Sequence, residues 1–449
     1  MIGNGFVAYD FTVYSFYAAI IGRLFFPAAN PVSSLLLSFA TFGAGFVMRP
    51  VGALLIGRVA DRRGRRAGML LALVLMTLGT WTIACLPGYA TLGVTATWLM
   101  VAARLLQGLA AGGEIGPATA SLMEVVPYRL RCFMVSWRGA GQGAAACIAA
   151  LVGAALSATL SPEQMQTWGW RVPFVLGGLI GPVGWYLRRR MPVAAVAPAV
   201  SFATPAPVAS VAGAAARGYA ATAVEAPDVH MACAAPVAPA SQPASRFAPV
   251  AQPVVWGVLM MAAPSVSIYL AVFYMPSYLI HTLHRPATIS LLTACLSGLA
   301  IFLVTPLVGT LADRFASRKT LQYAGLTAAL VATWPAFAAL THGAGEAASV
   351  AIIVGYVAIA LNNAGPASVL MLEAFPPYRR AASLAVIYGI GVVVFGGFTP
   401  FIMTWLIAHT GNSMMPAWYL MGANLLGLVA LSRFPERDAR ADAPAMIDA

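Results

Sequence analysis

An all-α polytopic membrane protein, with twelve transmembrane helices in two pseudo-symmetric halves of six, is predicted by three observations in this sequence. The chain is 60% hydrophobic and only 9% charged, with mean hydropathy +0.81, whereas soluble domains carry about 25% charged residues. Apolar segments of bilayer-crossing length recur along its 449 residues. A short charged hairpin also occurs twice, 252 positions apart, which marks an internal duplication.

A helix needs roughly 20 apolar residues to cross a bilayer core. Such segments lie at 4–27, 32–57, 67–87, 94–125, 133–158 and 168–188, and again at 253–280, 288–312, 320–340, 347–374, 381–408 and 415–434. The first has no basic leading region and is longer than a cleaved signal, so it is expected to persist as a helix. Residues 193–252 between the halves are rich in Ala, Pro and Val without a sustained period. Their recurring prolines oppose a thirteenth helix, so a disordered cytoplasmic linker is expected. The organisation is therefore an N-terminal half at 1–192, the linker at 193–252, a C-terminal half at 253–435 and a cytoplasmic tail at 436–449.

Charge fixes orientation. The net charge of +12 could suggest nucleic acid, but the arginines fall in short gaps between apolar spans, so no nucleic-acid partner is expected. With the amino terminus inside, the cytoplasmic gaps collect Arg58, Arg62, Arg63, Arg65, Arg66, Arg129, Arg131, Arg188 to Arg190, Arg314, Arg318, Lys319, Arg379 and Arg380, then Arg433, Arg437 and Arg440. The opposite gaps hold little beyond Arg171 and Arg285. The positive-inside rule then places both termini in the cytoplasm. Cys85, Cys132, Cys147, Cys233 and Cys295 show neither metal-ligand spacing nor extracellular pairing and read as small apolar fillers. No metal, disulfide or cofactor is expected, and without a nucleophile–base constellation neither is an enzyme.

The hairpin runs Gly57-Arg58-Val59-Ala60-Asp61-Arg62-Arg63-Gly64-Arg65-Arg66, and its copy Gly309-Thr310-Leu311-Ala312-Asp313-Arg314-Phe315-Ala316-Ser317-Arg318-Lys319. A second pair confirms the duplication: Glu124-Val125-Val126-Pro127 matches Glu373-Ala374-Phe375-Pro376, 249 positions on, each followed by two arginines. Parallel repeats of this kind place a substrate site between the halves near the midplane. Gly57, Asp61, Arg62, Gly64, Arg65, Arg66 and Glu124, with Asp313, Arg314, Arg318 and Glu373, are the candidate cytoplasmic gate. For Glu124 and Glu373 two readings stand: partners of the hairpin arginines in a closed gate, or proton carriers.

Charges inside spans are expensive and tend to be functional. They are Asp10, Arg49, Arg104, Glu114 and Arg138. Arg104, Gln107, Ala111 and Glu114 follow 3, 4, 3 spacing and share one helix face. Arg104 calls for an anionic substrate or a carboxylate partner, and Asp10 and Glu114 are the candidate proton-coupling acids. Arg49, followed by Pro50 and Gly52 beside the hairpin, reads as structural. Tyr14 and Tyr17, and Tyr274 and Tyr278, form stripes that either pack or bind substrate, and Asn362 with Asn363 adds amide donors. His281 sits at a helix end and reads as interfacial.

Outside the linker the chain resembles the metabolite–proton symporter family of the major facilitator superfamily. The resemblance rests on Gly3-Asn4, Tyr9-Asp10-Phe11, Met48-Arg49-Pro50-Val51-Gly52, Arg104-Leu105-Leu106-Gln107-Gly108, Gly112-Gly113-Glu114 and Trp168-Gly169-Trp170-Arg171-Val172-Pro173-Phe174. Phe25-Phe26-Pro27, Phe42-Gly43-Ala44-Gly45-Phe46, Thr333-Trp334-Pro335 and Phe395-Gly396-Gly397-Phe398-Thr399-Pro400 are similar to the citrate and tricarballylate branch. The resemblance implies the major facilitator fold and proton-coupled uptake of a citrate-like di- or tricarboxylate by alternating access, across a bacterial inner membrane, by a monomer. The implied partners are a small organic anion, a proton as coupling ion and the lipid bilayer. Alternatives are a symporter of another metabolite (shikimate, 2-oxoglutarate, proline or betaine), a drug–proton antiporter, or a transport-inactive metabolite sensor. Against the antiporter, Gly139-Ala140-Gly141-Gln142-Gly143 lacks the proline of that group's fifth-span signature. Two departures from the family stand out: Val7 replaces an acid three residues before Asp10, and Arg138 replaces a glutamine. Arg138 either binds a substrate carboxylate or pairs with Glu124.

Overall fold

The computed structural model describes residues 2–113, 126–127, 130–179, 181, 251–314, 317–360, 364–376 and 380–435. Every described element is helical. The expected linker up to residue 250 and the tail, and with them Glu114, Glu124, Asn362 and Asn363, lie outside the described residues; Ala251 and Gln252, expected to end the linker, already belong to the helix that follows.

In the first half, α1 runs Ile2–Phe16 and resumes as Ala18–Phe25, followed by α2 (Pro31–Arg63), α3 (Arg65–Cys85), α4 (Val94–Gly112), α5 (Arg131–Thr159) and α6 (172–179). In the second, α7 spans Gln252–His281, followed by α8 (Ala287–Arg314), α9 (Arg318–Thr341), α10 (Glu346–Ala360, then Ala364–Glu373), α11 (Arg380–Val392, then Thr399–Thr410) and α12 (Met415–Arg433). Among the described residues ten of these are long and apolar enough to cross a membrane. The other two expected spans fall short for local reasons: α1 is divided at Tyr17, and α6 runs out of the described residues after 179.

Helix ends follow the sequence. Asn30 caps α2 by accepting from the Ser33 N–H at 2.7 Å, with Pro31 in the first turn, where no N–H is missed. Gly64, at φ +86°, breaks α2 from α3 inside the hairpin, a conformation in which a side chain would be strained. Two wide π turns interrupt the second half, at Tyr269–Tyr274 in α7 and Val393–Gly397 in α11. Such turns concentrate at functional sites, and Gly396 of one lies flat against the Tyr269 ring of the other.

Lipid supplies no hydrophobic drive between helices, so close contact relies on small residues that let backbones meet. At the α2–α4 crossing, a methyl on Gly108 would run into the Gly45 carbonyl, and one on Gly112 into the Arg49 carbonyl. Across the two halves, Gly143 and Gly298 bring α5 and α8 into the same backbone contact, beside Cys147 and Cys295, whose thiols lie 3.2 Å apart as free cysteines. Elsewhere along the seam, Ser15 of α1 donates to the Phe273 carbonyl of α7, and Phe39 of α2 meets Tyr274 edge-on at 6.0 Å. Large apolar side chains such as Leu54, Leu307 and Val331 remain about two-thirds exposed (64%, 65% and 69%). An exposure of that kind suits lipid rather than water.

Candidate functional site

The 3.6-residue repeat of α4 turns Arg104, Gln107 and Ala111 inward, and all three are fully or almost fully buried. Gln107 joins three helices: its Nε2 donates to Thr80 of α3 at 2.9 Å and to the Asp10 carboxylate of α1 at 3.5 Å, while its Oε1 accepts from Arg104 Nη1. Thr80 also donates to Asp10 Oδ2. The other oxygen, Oδ1, is buried without a hydrogen-bond partner and faces Gly177 of α6, where only a glycine leaves it room. Asp10 is thus held through one oxygen only.

Arg104 is completely buried, and no acid among the described residues forms an ion pair with it. Its guanidinium lies on the Tyr14 ring at 3.9 Å and near Phe11 at 4.7 Å, while Nε and Nη2 lack hydrogen-bond partners. Stacking on aromatic faces offsets part of the desolvation of a buried cation. Phe11 is shared, because Arg49 of α2 sits 5.0 Å from the same ring and 4.1 Å from Phe46.

Arg49, unlike Arg104, opens on a cavity between the halves. The wall includes Asn4, Phe11, Arg49, Gln142, Tyr269 and Tyr388, drawn from α1, α2, α5, α7 and α11. Its free room is about 40 Å³, space for a few waters. Arg138 stands behind the wall: its Nη1 donates to the Tyr388 hydroxyl at 3.1 Å, and its partner is thus a C-terminal-half phenol. None of Tyr14, Tyr17, Tyr274 and Tyr278 lines this cavity. Tyr14 bonds the Ser38 carbonyl, Tyr278 donates to the Ser413 carbonyl at 2.9 Å, and Tyr17 and Tyr274 are buried in packing.

The second half repeats the first cluster without its charges. Thr333-Trp334 corresponds to Thr80-Trp81, and Tyr356 stands 249 positions after Gln107, the same offset that separates Glu373 from Glu124. Thr333 and Tyr356 share a hydrogen bond at 3.1 Å, with Ser267 and Asn424 in reach of the same phenol. At the place of Arg104 stands Ile353.

At the arginine-rich end, carboxylates of the second half meet the start of α5. Asp313 accepts from the Cys132 and Phe133 backbone N–H groups at 3.0 and 2.9 Å, where the helix N-terminus favours negative charge. Glu373 pairs with Arg131 at 3.5 Å and with Arg318. Arg62, Gly64 and Arg314 are exposed, Gly57 has open space around it, and the side chains of Asp61, Arg65 and Arg66 lie outside the description. Replacing Glu373 by glutamine should loosen this end, since charge-assisted hydrogen bonds are worth about 1.5–3 kcal/mol. The measurable sign is maleimide labelling of Cys132, fully buried behind the pair, from the arginine-rich face in a chain whose other cysteines are serine. An increase of about tenfold is expected.

Sequence reasoning placed Arg104 and Gln107 on one helix face and Asp10 on another helix without joining them, passed over Thr80, Tyr269 and Tyr388, counted Arg131 only among the cytoplasmic arginines, and read Arg49 as structural. The repeat of Thr-Trp in the two halves was a signal for Thr80; the tyrosines had none, because only the π turn and the seam give them their place.

Two related halves, a cavity between them that sets Arg49, Asn4, Gln142 and two tyrosines among apolar side chains, and charges paired across one end are the features of a polytopic membrane transporter. The chain belongs to the Major Facilitator Superfamily, whose profile matches residues 1–396. It is 34% identical to the citrate-proton symporter of Salmonella typhi over 95% of this chain and 91% of that protein. It is 30% identical to the proline/betaine transporter of Escherichia coli (strain K12), over 95% of this chain and 80% of the relative. In fold it is similar to the xylose transporter XylE from E. coli in a partially occluded inward-open conformation, with TM-score 0.72, 16% identity, and 97% and 96% of the two chains covered.

Proposed function

We propose that the chain takes up a citrate-like di- or tricarboxylate together with a proton, by alternating access, across a bacterial inner membrane. The observation that carries this reading is the buried chain Asp10–Thr80–Gln107–Arg104 beside a cationic cavity. Asp10 takes a proton on its free oxygen from the outside and releases it inside. Arg104, stacked but unpaired by any described acid, answers the charge of Asp10 through Gln107. Glu114 belongs to the same proposal as a second proton-coupling acid. Citrate, proline and betaine, the cargoes named for the relatives, share a carboxylate, which supports an anion at the arginines.

Asp313, Arg318 and Glu373, with Arg131, close the cytoplasmic gate; Asp61, Arg62, Arg65, Arg66 and Glu124 are proposed for the matching hairpin of the first half. Both termini are cytoplasmic, following the arginine distribution, and one chain suffices for the cycle. The test is uptake of labelled citrate into liposomes holding the purified chain. Accumulation is expected when the outside is acidified and should collapse with an uncoupler. Uptake indifferent to both would sink the symport reading.

A further inference from the structure

Arg49 lines the cavity between the halves, with the Tyr269 phenol within hydrogen-bonding reach of its guanidinium. It is 8% exposed. The rings of Phe46 and Phe11 hold the face of its guanidinium, yet its Nε–H is buried without a partner. No acid among the described residues forms an ion pair with it or lines the cavity. Rings and a phenol offset only part of the several kcal/mol that burying a cation costs, and an anion in the cavity would supply the missing opposite charge.

Across the cavity, Tyr388 supplies the complementary group. Its oxygen accepts from Arg138, with the Gln142 amide also in reach, which leaves its own O–H proton for an acceptor in the cavity. The Arg138 cation, 4.8 Å from the Tyr388 ring centre, polarises that O–H and strengthens it as a donor. Arg49 and Arg138 belong to the first half, Tyr388 and Tyr269 to the second. A carboxylate held by both sides therefore draws the halves together around itself.

We propose that the cavity binds a substrate carboxylate between Arg49 and the Tyr388 hydroxyl, and that Arg138 supplies a second positive charge that favours anions with more than one carboxylate. This rests on the symport reading above. The free room of about 40 Å³ is too small for a tricarboxylate, so on this proposal the halves part to admit it.

The test uses the full chain in liposomes with labelled citrate, competed by tricarballylate, succinate and butyrate, which carry three, two and one carboxylates. Arg49→Lys keeps the charge but loses the planar fork, and Tyr388→Phe keeps the ring under Arg138 but loses the donor. Each should raise the citrate KM about tenfold, the worth of one charge-assisted hydrogen bond. Arg138→Gln should compress the ranking of the three competitors toward equality, a change that a purely structural role would not produce. Unchanged KM values for Arg49→Lys and Tyr388→Phe, in a chain that still carries citrate, would overturn the anchor and leave the symport reading standing. An unchanged competitor ranking in Arg138→Gln would remove the second charge. A wild-type chain that carries no carboxylate would overturn both this site and the reading beneath it.

Discussion

Replacing Asp10 by asparagine should abolish uphill accumulation of substrate while preserving exchange of labelled for unlabelled substrate across the liposome membrane. The amide can still accept from Thr80 and Gln107 through its carbonyl oxygen, so the cluster keeps its hydrogen bonds and α1 its packing. What disappears is the oxygen free to take a proton, the one facing Gly177. A pH difference of one unit supplies about 1.4 kcal/mol per proton, enough for tenfold accumulation. The variant should lose that dependence completely and equilibrate to equal concentrations. Accumulation that still follows the external pH would remove Asp10 from proton carriage and transfer attention to Glu114.

The second large effect concerns the α5–α8 seam. Cys147 and Cys295 belong to different halves, and their sulfurs stand 3.2 Å apart. A membrane-permeant disulfide reagent should convert the two thiols to one disulfide, with two thiols of reagent released. Because the linker is the covalent tie between the halves, a protease site placed within 193–252 provides the readout. After cleavage, the oxidised chain should run as one band without reductant and as two with it. If rocking of the halves requires this seam to part, oxidation should stop transport, and reductant should restore it. Cys147→Ser and Cys295→Ser should each run as two bands after cleavage, with or without the reagent, since a lone thiol can form only a mixed disulfide with it. Two bands after oxidation would place the sulfurs farther apart in the membrane; a single band with full transport would show that the seam stays shut throughout the cycle.

Much of the fold was legible because a bilayer imposes one length and one polarity on every span. The duplicated hairpin and the Glu-x-x-Pro pair supplied the symmetry, and the 3, 4 spacing of Arg104, Gln107 and Ala111 supplied a common face. Periodicity says which side of a helix turns inward but not what stands opposite it. For that reason Arg49 looked like an adjunct of the hairpin, although Phe46 and Phe11 hold it at the cavity wall. Arg138 likewise offered either a substrate carboxylate or Glu124, whereas its hydrogen bond goes to Tyr388, 250 positions away. The tyrosine stripes were real, but Tyr14 and Tyr278 spend their hydroxyls on backbone carbonyls. Sequence spacing cannot distinguish a hydroxyl satisfied by its own scaffold from one offered to a ligand.

The glycine contacts between α5 and α8 also bear on how easily the molecule moves. Interlocked side chains would form teeth, and sliding one helix over the other would mean lifting each tooth out of its socket. Where Gly143 meets Gly298, two smooth backbones touch instead, a plain bearing that would offer little friction to any sliding of the halves along it. A single added methyl there would act as a brake, slowing turnover without touching either the proton or the cargo.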